Sequence, residues 1–374
     1  MWKFLLRLRK SSFVLLALLL TQPLWSQIAP TLSDPFGHRA LLRDASTGQT
    51  PDLVEVINGK KRFVFSWDKE LTSALPEAAR PFEAQMHGGF TEDPETGVVY
   101  TGIPGYGLCS ISPDLKTWTK IGSDDRLKDN IHGIVFFVHK GKKHLAVAQN
   151  DKRVLVLDTR GNIISDILKP SGDEFDFLPA NDFFRGPGSN FGITDVTYLD
   201  GILYAVHGYS RGDFVLTIKE EDGSWSWNNL AWGGKGNAPG QFQTAHGIYA
   251  HNGQLYVANR ALGEIVTFRK DGGFVEKMED IPEGSLICNV SFSGEHFFFN
   301  GLRPIGNEKS APIYIHNGEE LETTIIPGDF GIPLLTNIHQ VWPHHVTGAN
   351  GTQQLYLLVH GWNTGKYAVL KQEE

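Results

Sequence analysis

The chain has 374 residues, 41 of them glycine, with 42 acidic against 34 basic side chains and a formal net charge of −8. An acidic balance of this kind leaves no basic footprint for nucleic acid and excludes that class of partner. Aromatic content of 11%, with 23 phenylalanines, suits many short strands joined by tight turns, and no stretch shows sustained helical periodicity capped at both ends.

In chain order, Lys3, Arg7, Arg9 and Lys10 precede an eight-residue apolar run, Phe13 to Leu20, and Leu24-Trp25-Ser26 offers a cleavage site. Eight apolar residues are too few to span a bilayer but fit an export signal. Residues 1–26 are therefore expected to be a signal peptide of a secreted or periplasmic protein with no membrane span. Removing them takes Lys plus Arg from 34 to 30 against the same 42 acids, so the net charge moves from −8 to −12. Residues 27–50, rich in Pro, Ser, Thr and Gly, read as an irregular segment. Residues 51–374 read as one body.

Within that body, Asp52 to Ile57, Asn58-Gly59 and Arg62 to Trp67 predict a hairpin with no blade of its own. The clearest unit is Trp232 to Lys270. A glycine-rich turn leads through Phe242 to a strand from His246 to Ala250, and Asn252-Gly253 is a hairpin turn that needs positive φ. A second strand, Gln254 to Ala258, runs into Asn259-Arg260, expected to be exposed. A third, Glu264 to Phe268, closes against it before Asp271-Gly272-Gly273. Such a unit is one blade of a β-propeller.

Six copies align on it, through His87, His132, Asp195, His246, Asn289 and His344, which are 45, 63, 51, 43 and 55 residues apart. A period of about 51 residues suits four-stranded blades with insertions. The predicted fold is all-β, a six-bladed NHL-like β-propeller whose N-terminal strand closes the last blade and hides its edges.

Innermost strands line the channel of a propeller, so these six positions converge near one axis. Neutral imidazoles brought together suit Zn²⁺: three protein ligands with an open position mark a catalytic site, and four mark a structural one. His132, His246 and His344 fall on alternate blades two, four and six. His87 and Asp195 are then supporting groups or alternative ligands. Tyr209, Arg260 and Arg303 each lie fourteen residues beyond the channel position of their own blade. That shared offset predicts a phenol and two guanidiniums beside the ion, an acid/base and anion-binding set. Cys109 and Cys288 fall on non-adjacent blades, which favours buried free thiols over a disulfide.

Over residues 84 to 374 the chain resembles the peptidyl-α-hydroxyglycine α-amidating lyases. Ile131-His132-Gly-Ile, Ala245-His246-Gly-Ile and Trp342-Pro-His344-His345 match the family's three zinc-histidine motifs in order. Thr194-Asp195 followed by Ala205-Val-His-Gly-Tyr209 matches the run carrying its catalytic tyrosine, and Val257-Ala-Asn-Arg260 matches that of a substrate-site arginine. The resemblance implies a zinc lyase that splits the C–N bond of a carbinolamide to an amide and glyoxylate. Tyr209 would be the base, with Arg260 or Arg303 lowering its pKa or pairing with a substrate carboxylate.

Departures exist. Gly102-Ile-Pro-Gly105-Tyr106 stands where the family has a histidine-arginine-glycine turn, and His345 stands where an aspartate helps hold a structural calcium. The family's disulfide cysteines are replaced by Ser210 and Tyr256. The expected partner is a small-molecule or peptide substrate met by a monomer, with zinc in the channel and a structural calcium as a further candidate. A calcium-dependent lactonase or esterase, a non-enzymatic propeller binding a ligand at its mouth, and a closed structural metal plug stay open as alternatives.

Overall fold

Alternating burial and tight turns set the local structure of this chain, and the central blade shows how. Asn252 and Gly253 take φ of 48° and 76°, the left-handed pair that folds Ala245–His251 back on Gln254–Asn259 through a two-residue turn. Glu264–Arg269 and Phe274–Lys277 complete the sheet. The computed structural model describes residues 41–42, 63–332, 335–363 and 365–373. The expected export signal, the segment expected to be irregular apart from Leu41–Leu42, and the first strand of the expected hairpin lie outside the described residues.

The remaining blades repeat this up-and-down order. Blade one holds Phe90–Asp93, Val98–Ile103, Gly107–Ile111 and Trp118–Ile121. Blade two holds Gly133–His139, Lys142–Gln149, Arg153–Asp158 and Ile163–Leu168. Blade three runs from Asp195–Leu199 to Ser224–Gly233, and blade five from Ile287–Ser293 to Leu321–Ile325. Blade six takes Ile338–Thr347, Gln353–Gly361 and Tyr367–Gln372 from the C-terminal end of the chain.

The fourth strand of blade six is Val64–Trp67, antiparallel to the last strand in the register Phe65↔Gln372 to Trp67↔Leu370. Leu41–Leu42 runs parallel to it on the outside. The ring is therefore closed by an N-terminal strand, as a hairpin with no blade of its own predicts. Each inner strand packs on the next, and that of blade six returns to that of blade one.

Six apolar clusters fill the spaces between neighbouring blades. One joins blades two and three through Ala146, Val156, Ala205 and Leu216, and another joins blades five and six through Ile313, Ile315, Val341 and Leu357. Each fully buried large apolar side chain contributes about 1.5–3 kcal/mol. The longest interval of the repeat, between His132 and Asp195, is occupied by a helix, Leu178–Arg185. Pro179 sits in its first turn, and its Ala180 and Phe184 join the core between blades two and three. At the closure, Asp68 caps Lys69–Ser73 by accepting from the Leu71 N–H at 2.8 Å, which seats Leu71 against the first and last blades.

Among the described residues no helix is long and apolar enough to cross a membrane. Cys109 and Cys288 are both buried and unpaired.

Candidate metal centre at the channel mouth

The inner strands carry a local irregularity that aims side chains into the channel. In blades four, five and six the register slips around one residue: His246 between Ala245 and Gly247, Cys288 between Ile287 and Asn289, and His339 between Ile338 and Gln340. A bulge leaves that residue unpaired and re-aims it. His132 and Thr194 occupy the same place in blades two and three. Their N–H groups donate to Ala148 and Val206 carbonyls, at 2.8 and 2.9 Å, just ahead of the pairs Gly133↔Ala148 and Asp195↔Val206. His132, Thr194, His246, Cys288 and His339 thus form one layer, and His87 of blade one reaches into it. Close approach at the axis uses glycine: a Cβ on Gly133 would stand 2.2 Å from Asp195 Oδ1.

The imidazoles crowd together. His87 lies 4.0 Å from His132 and 4.2 Å from His339 between ring centroids, and His246 lies 4.9 Å from His132 and 5.3 Å from His339. His87, His132 and His339 each offer a ligand atom within 4.8 Å of the other two. At that limit a central ion stands about 2.8 Å from each donor, so a contraction of under 1 Å reaches the Zn–N length of about 2.0–2.1 Å.

Tautomers are fixed from behind. Nδ1–H of His132 donates to the Thr194 carbonyl at 2.5 Å, that of His246 to the Cys288 carbonyl at 2.8 Å, and that of His339 to the Asn337 carbonyl at 3.2 Å. His87 Nδ1 faces Asn130 Oδ1 at 3.3 Å. Each bond leaves Nε2 as the atom with the lone pair. Nε2 of His87 and of His132 are buried and have no hydrogen-bond partner. An orphaned buried polar atom costs about 1–3 kcal/mol, and a ring held through Nδ1 with Nε2 free is how a metal-ligating histidine is presented. Burial lowers the pKa of His87 to about 4. It pushes His132, His246 and His339 well below the ordinary imidazole value, with His87, Arg260 and His87 again as their respective next contributors. All four rings are neutral at pH 7, the form that binds a cation. The donor set fits Zn²⁺.

A second layer lies above, set by equivalent backbone bonds. The N–H groups of Tyr209, Arg260, Leu302 and Trp362 donate to the carbonyls of Gly192, Thr244, Leu286 and Asn337 at 3.1, 3.0, 2.7 and 3.0 Å. Tyr209 O–H donates to His246 Nε2 at 3.0 Å and accepts from Arg260 Nη1 at 3.0 Å, with the guanidinium 5.1 Å from the phenol ring centre. Burial raises the Tyr209 pKa, and the opposing pull of Arg260 does not offset it. Arg260 thus pulls the phenol pKa down as expected, but burial decides the net direction. Arg260 is half-buried and Asn259 fully buried, not exposed as expected.

Other sequence-predicted residues fall elsewhere. His344 lies five residues beyond His339 on the same strand, about 16 Å away at 3.3 Å per residue. Its Nδ1 meets Glu92 at 2.9 Å and its Nε2 meets the Pro113 carbonyl at 2.8 Å, so both nitrogens are committed between blades six and one. The blade-six histidine of the channel is His339, in Asn337-Ile-His339, which repeats Asn130-Ile-His132. Arg303 is exposed and makes no hydrogen bond or ion pair among the described residues; Leu302, fourteen residues beyond the bulged Cys288, makes the equivalent backbone bond. Asp195 and Asn289 lie one step deeper than the histidines. Asp195 Oδ2 accepts from the Ile248 N–H and Asn289 Nδ2, both at 3.1 Å, and Oδ1 from the Val196 N–H at 2.9 Å; burial lifts its pKa to about 7.

The alignment on histidine and carboxamide residues misses Cys288 and Trp362. Trp362 is 37% exposed at the mouth and stacks on His87 at 4.9 Å and 11°. His345, expected at a calcium position, meets Ser293 Oγ at 2.7 Å, and the two groups of described side chains close enough to share an ion contain no carboxylate.

Fold and channel define the class: a six-bladed β-propeller with a histidine-lined mouth. No protein-family profile matches the chain, and no curated protein sequence matches it. Among solved structures it is similar to a luciferin-regenerating enzyme, with a TM-score of 0.50 and 11% identity over 83% of this chain and 95% of that one. That likeness is one of fold, to an enzyme built on a propeller. Sqt1 of Saccharomyces cerevisiae matches at TM-score 0.42 and 10% identity, over 74% of this chain and 68% of its own. A nidogen/laminin complex matches at 0.42 and 15%, over 67% and 81%.

Proposed function

We propose that the protein is an exported zinc-dependent lyase of the amidating type, acting on a carbinolamide such as a peptidyl-α-hydroxyglycine. The observation that carries this reading is the pair of buried, partnerless Nε2 atoms on His87 and His132, facing a third ring, His339, beside a tyrosine held by an arginine. His87, His132 and His339 would hold the ion, and His246, the remaining histidine of the set, would serve Tyr209. A bound Zn²⁺ supplies Lewis acidity toward the substrate hydroxyl.

The chain's own groups do the rest. Tyr209 is poised between the substrate side and His246 Nε2, so it takes the hydroxyl proton as it passes its own to His246. Burial and the Arg260 charge disfavour the imidazolium of His246, so the proton rests there only in passing and is driven back toward Tyr209 as the C–N bond breaks. The C–N bond breaks as the carbonyl of the aldehyde forms, and the proton returns through Tyr209 to the departing amide nitrogen. Protons balance, and no water is consumed. Arg260 holds the phenol through Nη1 and keeps further N–H groups for a substrate carboxylate.

The test is to offer a peptidyl-α-hydroxyglycine to the zinc-loaded protein and assay glyoxylate. Release that is lost with chelation and in Tyr209→Phe is expected. No release from zinc-loaded protein would overturn the lyase reading.

A further inference from the structure

Cys288 shares the bulged inner-strand position that His246 and His339 hold in the neighbouring blades. A buried free cysteine is often a small apolar filler. This one has polar company: the Arg260 guanidinium acts on it electrostatically, and its Sγ lies within 4.8 Å of ligand nitrogens of His246 and His339. These three residues are one sulfur and two nitrogen donors, all buried. The other set, His87, His132 and His339, is nitrogen only, and His339 belongs to both. His339 has one nitrogen free of the backbone, since Nδ1 is bonded to Asn337.

We infer that His246, Cys288 and His339 form a second, softer coordination set, which takes a thiophilic d¹⁰ cation such as Cd²⁺ or Cu⁺ by withdrawing His339 from the nitrogen set. Thiolate sulfur selects soft ions, whereas imidazole alone suits zinc. Occupation of one set excludes the other, because a single His339 Nε2 cannot serve two ions. Binding breaks the Cys288 S–H bond, forms a metal–sulfur bond and releases one proton to solvent. The Arg260 guanidinium stabilises the thiolate once formed. The ion also takes His246 Nε2 from the Tyr209 hydroxyl. A soft cation therefore dismantles the proton relay as well as drawing off a ligand. The coordination set itself does not depend on the lyase reading.

The experiment is a Cd²⁺ titration of the zinc-loaded, full-length protein, followed by ultraviolet thiolate-to-cadmium charge transfer, released zinc and released proton. The expected result is a band saturating at one Cd²⁺ per chain, with one Zn²⁺ and one proton released. The band should vanish in Cys288→Ser and His246→Ala and persist in His87→Ala and Cys109→Ser. Cys288→Ala replaces Cys288→Ser if the serine variant melts early. Absence of the band, its persistence without Cys288, or Cd²⁺ bound beside retained zinc would each overturn the inference. A cysteine-dependent band in a protein that binds no zinc would support this inference and refute the zinc reading. Stoichiometric zinc with no band would do the reverse.

Discussion

His344→Ala and His339→Ala separate two histidines that lie on one strand and differ in role. His344 is fully buried, paired with Glu92 at 2.9 Å and bonded to the Pro113 carbonyl at 2.8 Å. Truncating it strands that carbonyl, at about 1–3 kcal/mol. The Glu92 side chain is 23% exposed and keeps a contact to Trp342 Nε1 at 3.4 Å, so the lost pair adds at most about 1 kcal/mol. Metal-free His344→Ala should therefore be about 1–4 kcal/mol less stable than metal-free wild type in urea, while the zinc-loaded variant keeps the wild-type zinc content. His339 makes a single 3.2 Å bond to Asn337 among crowded neutral rings, and His339→Ala should shift metal-free stability by about 1 kcal/mol or less while losing the zinc. The cost at His344 also depends on pH. Burial opposes its protonation, but Glu92 and the Pro113 carbonyl outweigh it and raise its pKa above 6.5. The stabilisation is therefore fully present below 6.5 and fades as pH rises through the raised folded-state value. Zinc lost from His344→Ala and retained by His339→Ala would refute the assignment.

Tyr209→Phe should keep zinc and lower turnover by about 10²–10⁴, because it removes the proton acceptor and leaves the ring; parallel metal analysis and glyoxylate assays check it. Removing residues 63–68 should open the ring at Phe65↔Gln372 to Trp67↔Leu370 and lower the melting temperature markedly; calorimetry showing no change would contradict that closure. The folded-state pKa of Asp195, about 7, lies above its ordinary 3.8, so its contribution to stability falls as pH rises from about 4 to 7. Urea titrations of metal-free wild type and Asp195→Asn should therefore show wild type losing ground across that range and no further above it.

Much of this architecture is legible in the sequence because turns and apolar alternation are local. Asn252-Gly253 dictates a left-handed turn, and an N-terminal hairpin with no blade of its own predicts ring closure. Convergence of His87, His132 and His246 follows from the repeat. Bulges are not local in this way. One extra residue in the inner strand shifts which side chain meets the axis, so counting from Asn289 gives Arg303 where the structure has Leu302. The same slip hides Cys288 behind Asn289. In blade six the Trp342-Pro-His344 run draws the alignment five residues too far, although Asn337-Ile-His339 repeats the blade-two motif. Tyr209 and Arg260 are found by offset, but the direction of the tyrosine pKa depends on burial, which spacing does not encode.

Zinc-edge X-ray absorption on the purified protein tests the account most directly. It should show one zinc per chain with three imidazole nitrogens at about 2.0–2.1 Å and one further light atom that exchanges with added ligand. Four imidazoles with no exchangeable position, or no stoichiometric zinc at all, would contradict a catalytic centre in this channel.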